Sequence, residues 1–194
     1  MVIKEDYQNH VLINCYRLID FWNKCGYGIV YDGTLIKNPT ISEFHEYYKT
    51  LSPYQFTYYR CGVCYDFVEF GSSFLSSCYI NNNKYYMSTT LPDGDTHTFI
   101  LIPHDNAYVY IEGAFEWLAN EINGLEIFDT EEDAFQFIAD ALFNIEGNET
   151  VEKFNYYVWQ YKDVPNYGLD ALEFTEFITN SEPIYEGIAY NPNL

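Results

Sequence analysis

Apolar side chains recur at helical spacing in the first 60 residues. Residues 7–25 carry them three and four positions apart, and Gly26 follows as a C-cap, so the pattern predicts a helix. A second helix is predicted to begin with Thr40 or Ser42 as its N-cap and to end near Leu51. The stretch between the two helices mixes Tyr, Val and Gly and is predicted to be irregular or strand-like.

The pattern changes from helix to strand after residue 78. Between residues 64 and 78 the apolar side chains share one helical face, which places Cys64 in the first turn of a helix and on its buried side. Period-two spacing then predicts strands, the first two of them forming a hairpin, at residues 79–80, 84–90, 96–102, 107–112 and 151–161. Further helices are predicted at residues 130–143 and 170–179, with a short helix or crossing at 115–123. Helices followed by an antiparallel sheet and then further helices indicate an α+β fold.

Length and composition favour one domain with a single packed core. The chain has 194 residues, of which 48% are hydrophobic and 20% aromatic, which excludes wholesale disorder. We expect an N-terminal helical extension over residues 1–39 and a core over about residues 40–180. There is no apolar run of membrane-spanning length, and the N-terminus carries acidic residues where a secretory signal has basic ones. The sequence therefore predicts a cytoplasmic protein without a membrane segment.

The net charge of −20 is concentrated in the later part of the chain. Residues 1–60 hold six acids and six bases, whereas residues 61–194 hold 23 acids and three bases. Direct nucleic-acid binding and attachment to an anionic membrane are disfavoured, because both require Lys and Arg. The acidic residues form either a solvated face that aids solubility or a surface that meets a basic partner.

Cys64 is the first candidate for chemistry among five cysteines, whose odd number and low density predict free thiols. A thiol at a helix start faces unpaired backbone N–H groups and the positive end of the helix dipole, and both favour the thiolate. Gly62 permits a sharp entry into that helix, and the same N–H groups are suited to an oxyanion. A cysteine on an apolar helix face is also an ordinary core residue, so a functional interpretation requires a base nearby.

His97 and Glu112 are the candidate partners, from two predicted strands. A histidine titrates in the range that a base for a cysteine nucleophile needs. If residues 103–106 form a four-residue hairpin loop, the register of the two strands sets His97 opposite Glu112. Cross-strand neighbours have Cβ atoms about 4.5–5.5 Å apart, close enough for a carboxylate to orient an imidazole. The sequence thus predicts a Cys64–His97–Glu112 triad.

Three short segments resemble the transglutaminase-like superfamily. Residues 62–67 are similar to its Gly-x-Cys-aromatic/basic-Asp-Phe segment, and residues 97–99 and 110–112 resemble its histidine and acid strands. Glu112 stands where most members have Asp. The similarity is closest to small bacterial transglutaminase-like proteins and covers about residues 40–180.

The resemblance implies a papain-like fold, with the cysteine helix packed on an antiparallel sheet, and thiol acyl chemistry that uses no cofactor or metal. Cys64 would be the nucleophile, His97 the base and then the acid, and Glu112 the orienting carboxylate. We expect hydrolysis of an amide or isopeptide bond in a protein or peptide rather than crosslinking, because hydrolysis requires only one bound partner. Basic substrates would be attracted by the acidic surface. Candidates for the oxyanion donor are the backbone N–H of Cys64, Gln55 and Tyr58.

Two other interpretations stay open. Cys61 and Cys64 form a Cys-x-x-Cys pair, but the predicted element order lacks the context of a thioredoxin-like redox site, and zinc would need two more ligands. Cys61 is then a structural thiol or the partner of Cys64 in a regulatory disulfide. The alternative function is a non-enzymatic acidic binding or inhibitor protein, which would mimic nucleic acid to occupy a basic groove.

Overall fold

A computed structural model describes most of the chain, over residues 2–37, 39–113, 124–145, 147–162 and 166–194. The segment predicted as a short helix or crossing, residues 115–123, lies outside these ranges. No helix in the described ranges has the length and apolar character that a bilayer crossing requires.

The chain begins with a long helix and a small hairpin. Helix α1 (Val2–Trp22) buries Val11, Cys15, Leu18 and Trp22, which are spaced by four and three residues as a helix facing a core requires. Strands β1 (Gly26–Tyr31) and β2 (Thr34–Lys37) then pair antiparallel around Asp32 and Gly33. Both turn residues have positive φ, 47° and 72°, as a two-residue hairpin turn requires.

Two short helices with capping boxes follow the hairpin. Helix α2 (Ile41–Tyr47) is capped by Thr40 and ends before Leu51, the predicted end. Helix α3 (Pro53–Tyr59) was not predicted, because residues 54–60 mix aromatic and polar side chains. The sequence does contain a signal for the start of this helix. Ser52 and Gln55 form a capping box, and a proline occupies the first helical position.

The cysteine helix follows directly. Strand β3 (Cys61–Gly62) pairs in parallel with β1, and helix α4 (Cys64–Ser77) begins two residues after Gly62. The predicted helix over residues 64–78 is therefore confirmed. Its buried face includes Phe67, Val68 and Leu75.

A six-stranded antiparallel sheet forms the rest of the framework, in the order β7–β6–β5–β4–β8–β9. Its strands are β4 (Asn83–Thr89), β5 (Thr96–His104), β6 (Ala107–Ile111), β7 (Leu125–Phe128), β8 (Lys153–Tyr161) and β9 (Tyr185–Tyr190). The predicted hairpin between residues 79–80 and 84–90 is wrong, because β4 pairs with β5 and β8 instead.

The hairpin between β5 and β6 is tighter than predicted. His104 pairs with Ala107 across a two-residue turn, whereas a four-residue loop over residues 103–106 was expected. Asp105 has φ 57°, a conformation that Asp adopts more readily than most residues. Strand β5 can include Pro103, which has no N–H to donate, because Pro103 needs a partner on one side only. Strand β4 ends opposite Leu101, so β6 is the strand that neighbours Pro103. The register therefore differs by two residues from the predicted one.

Helices cover both faces of the sheet. Alternate residues of β5 point to opposite sides: Ile100 packs in an inner core with α1 and α4, and Leu101 packs in an outer core. The outer core is closed by α5 (Glu131–Ala141) and a short 3₁₀ helix (Leu142–Asn144), and α6 (Ala171–Thr179) adds Phe174 to the inner core. The predicted α+β class, with the cysteine helix packed on an antiparallel sheet, is confirmed.

Candidate active site

Cys64 is the first residue of α4, and the turn before it allows no larger residue than glycine at position 62. A Cβ on Gly62 would lie 2.6 Å from Cβ of Asp66 and 2.9 Å from the ring of Phe56. Val63, the N-cap, has extended backbone, so the chain turns sharply into the helix at Cys64. Cys64 is half-buried, whereas Cys61, three residues earlier, is fully buried.

The carboxylate of Asp66 holds this helix start in place. It accepts hydrogen bonds from the backbone N–H of Val63 at 3.0 Å and from that of Leu51 at 2.8 Å, and the Tyr48 hydroxyl donates to it at 3.4 Å. Burial raises the pKa of Asp66 to about 7, and the three hydrogen bonds oppose that rise. Asp66 therefore ties the segment before α3 to the turn that presents Cys64.

His97 lies in the interior between Glu112 and Cys64. Nε2 of His97 is 2.7 Å from Oε2 of Glu112, and both side chains are buried, 0% and 3% exposed. Nε2 meets the carboxylate, so Nδ1 is on the other side of the imidazole, and the Cys64 side chain lies close enough to interact with the ring. Burial alone would lower the pKa of His97, but the charge of Glu112, the hydrogen bond to Glu112 and the nearby Cys64 side chain raise it to about 10.

Two further donors orient Glu112. The Tyr110 hydroxyl donates to Oε2 at 2.6 Å, and the backbone N–H of Gly113 donates to Oε1 at 2.7 Å. The predicted direct pairing of His97 with Glu112 is wrong, because the ladder ends with Ile100 opposite Ile111. A shift of two residues keeps a side chain on the same face of its strand, so the carboxylate still reaches the imidazole.

The two other predicted oxyanion candidates have different surroundings. Oε1 of Gln55 accepts hydrogen bonds from the backbone N–H and the hydroxyl of Ser52, as part of the α3 cap. Tyr58 is 74% exposed and its ring packs edge-on against Tyr59. Cys61 is fully buried in β3, and burial raises the pKa of its thiol to about 12, so Cys61 is a protonated core thiol.

Two tyrosines near the triad, Tyr110 and Tyr27, were not among the predicted site residues. Tyr110 stands two residues before Glu112, so its side chain lies on the same face of the strand and donates to the carboxylate. This two-residue spacing could have identified Tyr110 from the sequence. Tyr27 reaches the site through the parallel pairing of β1 with β3, and its side chain lies close to the backbone of Cys64. A contact between a two-residue strand and a segment more than 30 positions earlier leaves no local signal in the sequence.

Comparisons with known proteins add little to this geometry. The sequence matches no protein-family model and no curated protein. Among solved structures the chain is similar to "a Putative Cysteine Protease from Cytophaga hutchinsonii", with 15% sequence identity and a TM-score of 0.35. The similarity covers 95% of this chain and 52% of that one, so the chain spans about half the length of that protein.

Proposed function

We propose that this protein is a cysteine-dependent acyl-transfer enzyme that hydrolyses an amide or isopeptide bond. The observation that carries the proposal is the position of His97, whose imidazole is hydrogen-bonded to the Glu112 carboxylate and lies close enough to the Cys64 side chain to interact with it. A nucleophile, a base and a group that orients the base are the three parts that acyl transfer through a thioester requires.

The chemistry follows from these three roles. Because its pKa is raised to about 10, His97 already holds the proton taken from the Cys64 sulfur at neutral pH, and the sulfur attacks the carbonyl carbon of the substrate. The C–N bond then breaks, and His97 gives its proton to the leaving amine. Water attacks the thioester, His97 accepts a proton from it, and the C–S bond breaks to release the acid. His97 keeps the proton taken from water, and the released sulfur lies beside the protonated imidazole as at the start of the cycle.

Glu112 supports both proton transfers. A buried carboxylate beside Nε2 stabilises the imidazolium that forms when His97 accepts a proton. The hydrogen bonds from Tyr110 and Gly113 keep the carboxylate aimed at that nitrogen. The resemblance of residues 62–67 to transglutaminase-like proteins adds support, as does the position of Cys64 at a helix start.

The rate of Cys64 alkylation tests the proposal. Iodoacetamide near pH 6 should label Cys64 quickly, and peptide mass spectrometry separates it from Cys78, which is also half-buried and serves as the internal reference. His97→Ala should slow the labelling of Cys64 and leave Cys78 unchanged. Equal, slow labelling of both thiols in the wild type would overturn the proposal.

A second candidate function rests on the charge distribution. Residues 85–152 contain no Lys or Arg, and helix α5 presents Glu131, Glu132 and Asp133 in its first turn. A non-enzymatic protein could use such acids to bind a basic partner. Binding of that kind would weaken steeply as salt rises and would be insensitive to Cys64→Ala, whereas the proposed enzyme loses activity in that variant.

A further inference from the structure

Tyr27 connects the small sheet to the start of the nucleophile helix. It lies in β1, and the parallel pairing of β1 with β3 sets it opposite Gly62, two residues before Cys64. The Tyr27 ring packs against the inner core. The strand pairing and the packing together fix the side chain beside the first turn of α4.

Tyr27 lies beside the backbone N–H of Cys64, which is the candidate hydrogen-bond donor for an oxyanion. The Tyr27 side chain lies close enough to the backbone N–H of Cys64 to interact with it. This N–H belongs to the first turn of α4, where a helix supplies no acceptor of its own. A carbonyl attacked by the Cys64 sulfur places its oxygen close to the same N–H, and therefore close to the Tyr27 hydroxyl.

The negative charges near Cys64 favour a second hydrogen-bond donor to the oxyanion. Burial raises the pKa of Tyr27 well above 10, and the charges of Cys64, Asp66 and Glu112 raise it further, so the hydroxyl keeps its proton at neutral pH. An oxyanion formed here would add a negative charge near the two carboxylates. Gln55 and Tyr58 are poorly suited to share it, because the Gln55 oxygen serves a helix cap and Tyr58 points to solvent.

Building on the proposed function, we propose that the Tyr27 hydroxyl is a catalytic group that donates a hydrogen bond to the oxyanion, beside the backbone N–H of Cys64. When the sulfur attacks, the π electron pair of the carbonyl moves to its oxygen, which both donors then stabilise. Tyr27 keeps its proton throughout. When the electron pair returns, the bond to the leaving group breaks.

Two reactions at the same sulfur separate this role from thiol activation. Alkylation by iodoacetamide is a displacement at a saturated carbon and forms no oxyanion, whereas acylation by p-nitrophenyl acetate passes through one. Tyr27→Phe removes the hydroxyl and keeps the ring. We expect the rate of Cys64 acylation, followed by p-nitrophenolate release, to fall roughly 100-fold while the alkylation rate is unchanged.

A matched variant controls for loss of a buried tyrosine hydroxyl. Tyr156 is buried and donates to Gln136 of α5, a residue outside the triad, so Tyr156→Phe should change neither rate. Thermal unfolding of all three proteins monitors the fold.

Each remaining outcome overturns the role of Tyr27. An equal fall in both rates would make Tyr27 a structural residue, and unchanged acylation would leave its hydroxyl without a role. Faster acylation would mean that the hydroxyl blocks the Cys64 N–H. Slow alkylation of the wild type would instead overturn the proposed function itself, before any variant is compared.

Discussion

His97 and Glu112 are hydrogen-bonded at 2.7 Å, although they are not directly opposite each other on their two strands. His97 is paired with Met87 of β4, and Glu112 lies just beyond the last paired residue of β6. The contact is therefore diagonal, between neighbouring strands, and the side chains span the offset. Their geometry depends on the donors that hold Glu112 as well as on the sheet, so the carboxylate and its hydrogen bonds are the first targets for substitution.

Glu112→Gln should remove a pH dependence of stability. The raised pKa of His97, about 10 against an ordinary 6.5, gives a stabilisation that is complete below pH 6.5 and is lost as pH rises through 10. Without the charge of Glu112, burial lowers the His97 pKa and this loss disappears. Urea unfolding at pH 6 and pH 9 should show a fall in the free energy of unfolding that is about 3 kcal/mol larger in the wild type than in the variant. Parallel pH dependences would contradict the charge assignment.

Asp66→Asn should destabilise the fold through the helix start. An amide has a single accepting oxygen, so one of the N–H groups of Leu51 and Val63 loses its acceptor, at a cost of about 1–3 kcal/mol. The raised pKa of Asp66, about 7, means that its protonated form stabilises the wild type below pH 3.8 and that this is lost as pH rises through 7. The difference between the two proteins should therefore be greater at pH 5 than at pH 8. A pH-independent difference would contradict burial of the ionisable carboxyl.

Gly62→Ala and Gly26→Ala form a matched pair on neighbouring strands. The new methyl group at position 62 meets Asp66 and Phe56 at 2.6 and 2.9 Å, whereas nothing lies within 4 Å of one at position 26. We expect a loss of about 1–3 kcal/mol for Gly62→Ala and a change below about 0.5 kcal/mol for Gly26→Ala. Chemical denaturation measures both, and the alkylation rate of Cys64 should fall in the first variant alone. Similar stabilities of the two variants would refute the tight turn before Cys64.

The buried ion pair between Lys84 and Glu69 ties helix α4 to strand β4. Its atoms are 2.8 Å apart, and the side chains are 5% and 3% exposed. Lys84→Met leaves the Glu69 charge uncompensated and should cost about 3–5 kcal/mol. The double variant Lys84→Met with Glu69→Leu should recover most of that loss, because no buried charge then remains. Additive losses in thermal or urea unfolding would show that the two side chains act independently.

The sequence predicted those parts of the site that local patterns encode. The helical spacing over residues 64–78 placed Cys64 at a helix start, and alternation placed His97 and Glu112 on neighbouring strands. The predicted register was wrong by two residues because residues 103–106 were expected to form the hairpin loop, whereas β5 continues to His104 and pairs there with Ala107. The pairing of Tyr27 with Gly62 is a long-range contact, and no local pattern reveals it.

The missed strands have physical reasons of their own. Strand β9 contains Gly187, and glycine weakens a strand prediction. In the structure this glycine lies against the ring of Tyr156, where a Cβ would collide with it. Strand β7 has only four residues, of which Glu126 and Ile127 are both exposed, so it lacks the alternation of a half-buried strand.

The position of β8 in the sheet has a consequence for synthesis on the ribosome. Strand β4 has one neighbour, β5, that follows it closely in the sequence, but its other edge is covered by β8, about 60 residues further along the chain. A nascent chain therefore carries a central strand with one bare edge, made of β-forming residues such as Tyr85 and Tyr86, until residues 153–161 leave the exit tunnel. A chain cut short before β8 would keep that edge exposed and would aggregate even though it already contains Cys64, His97 and Glu112.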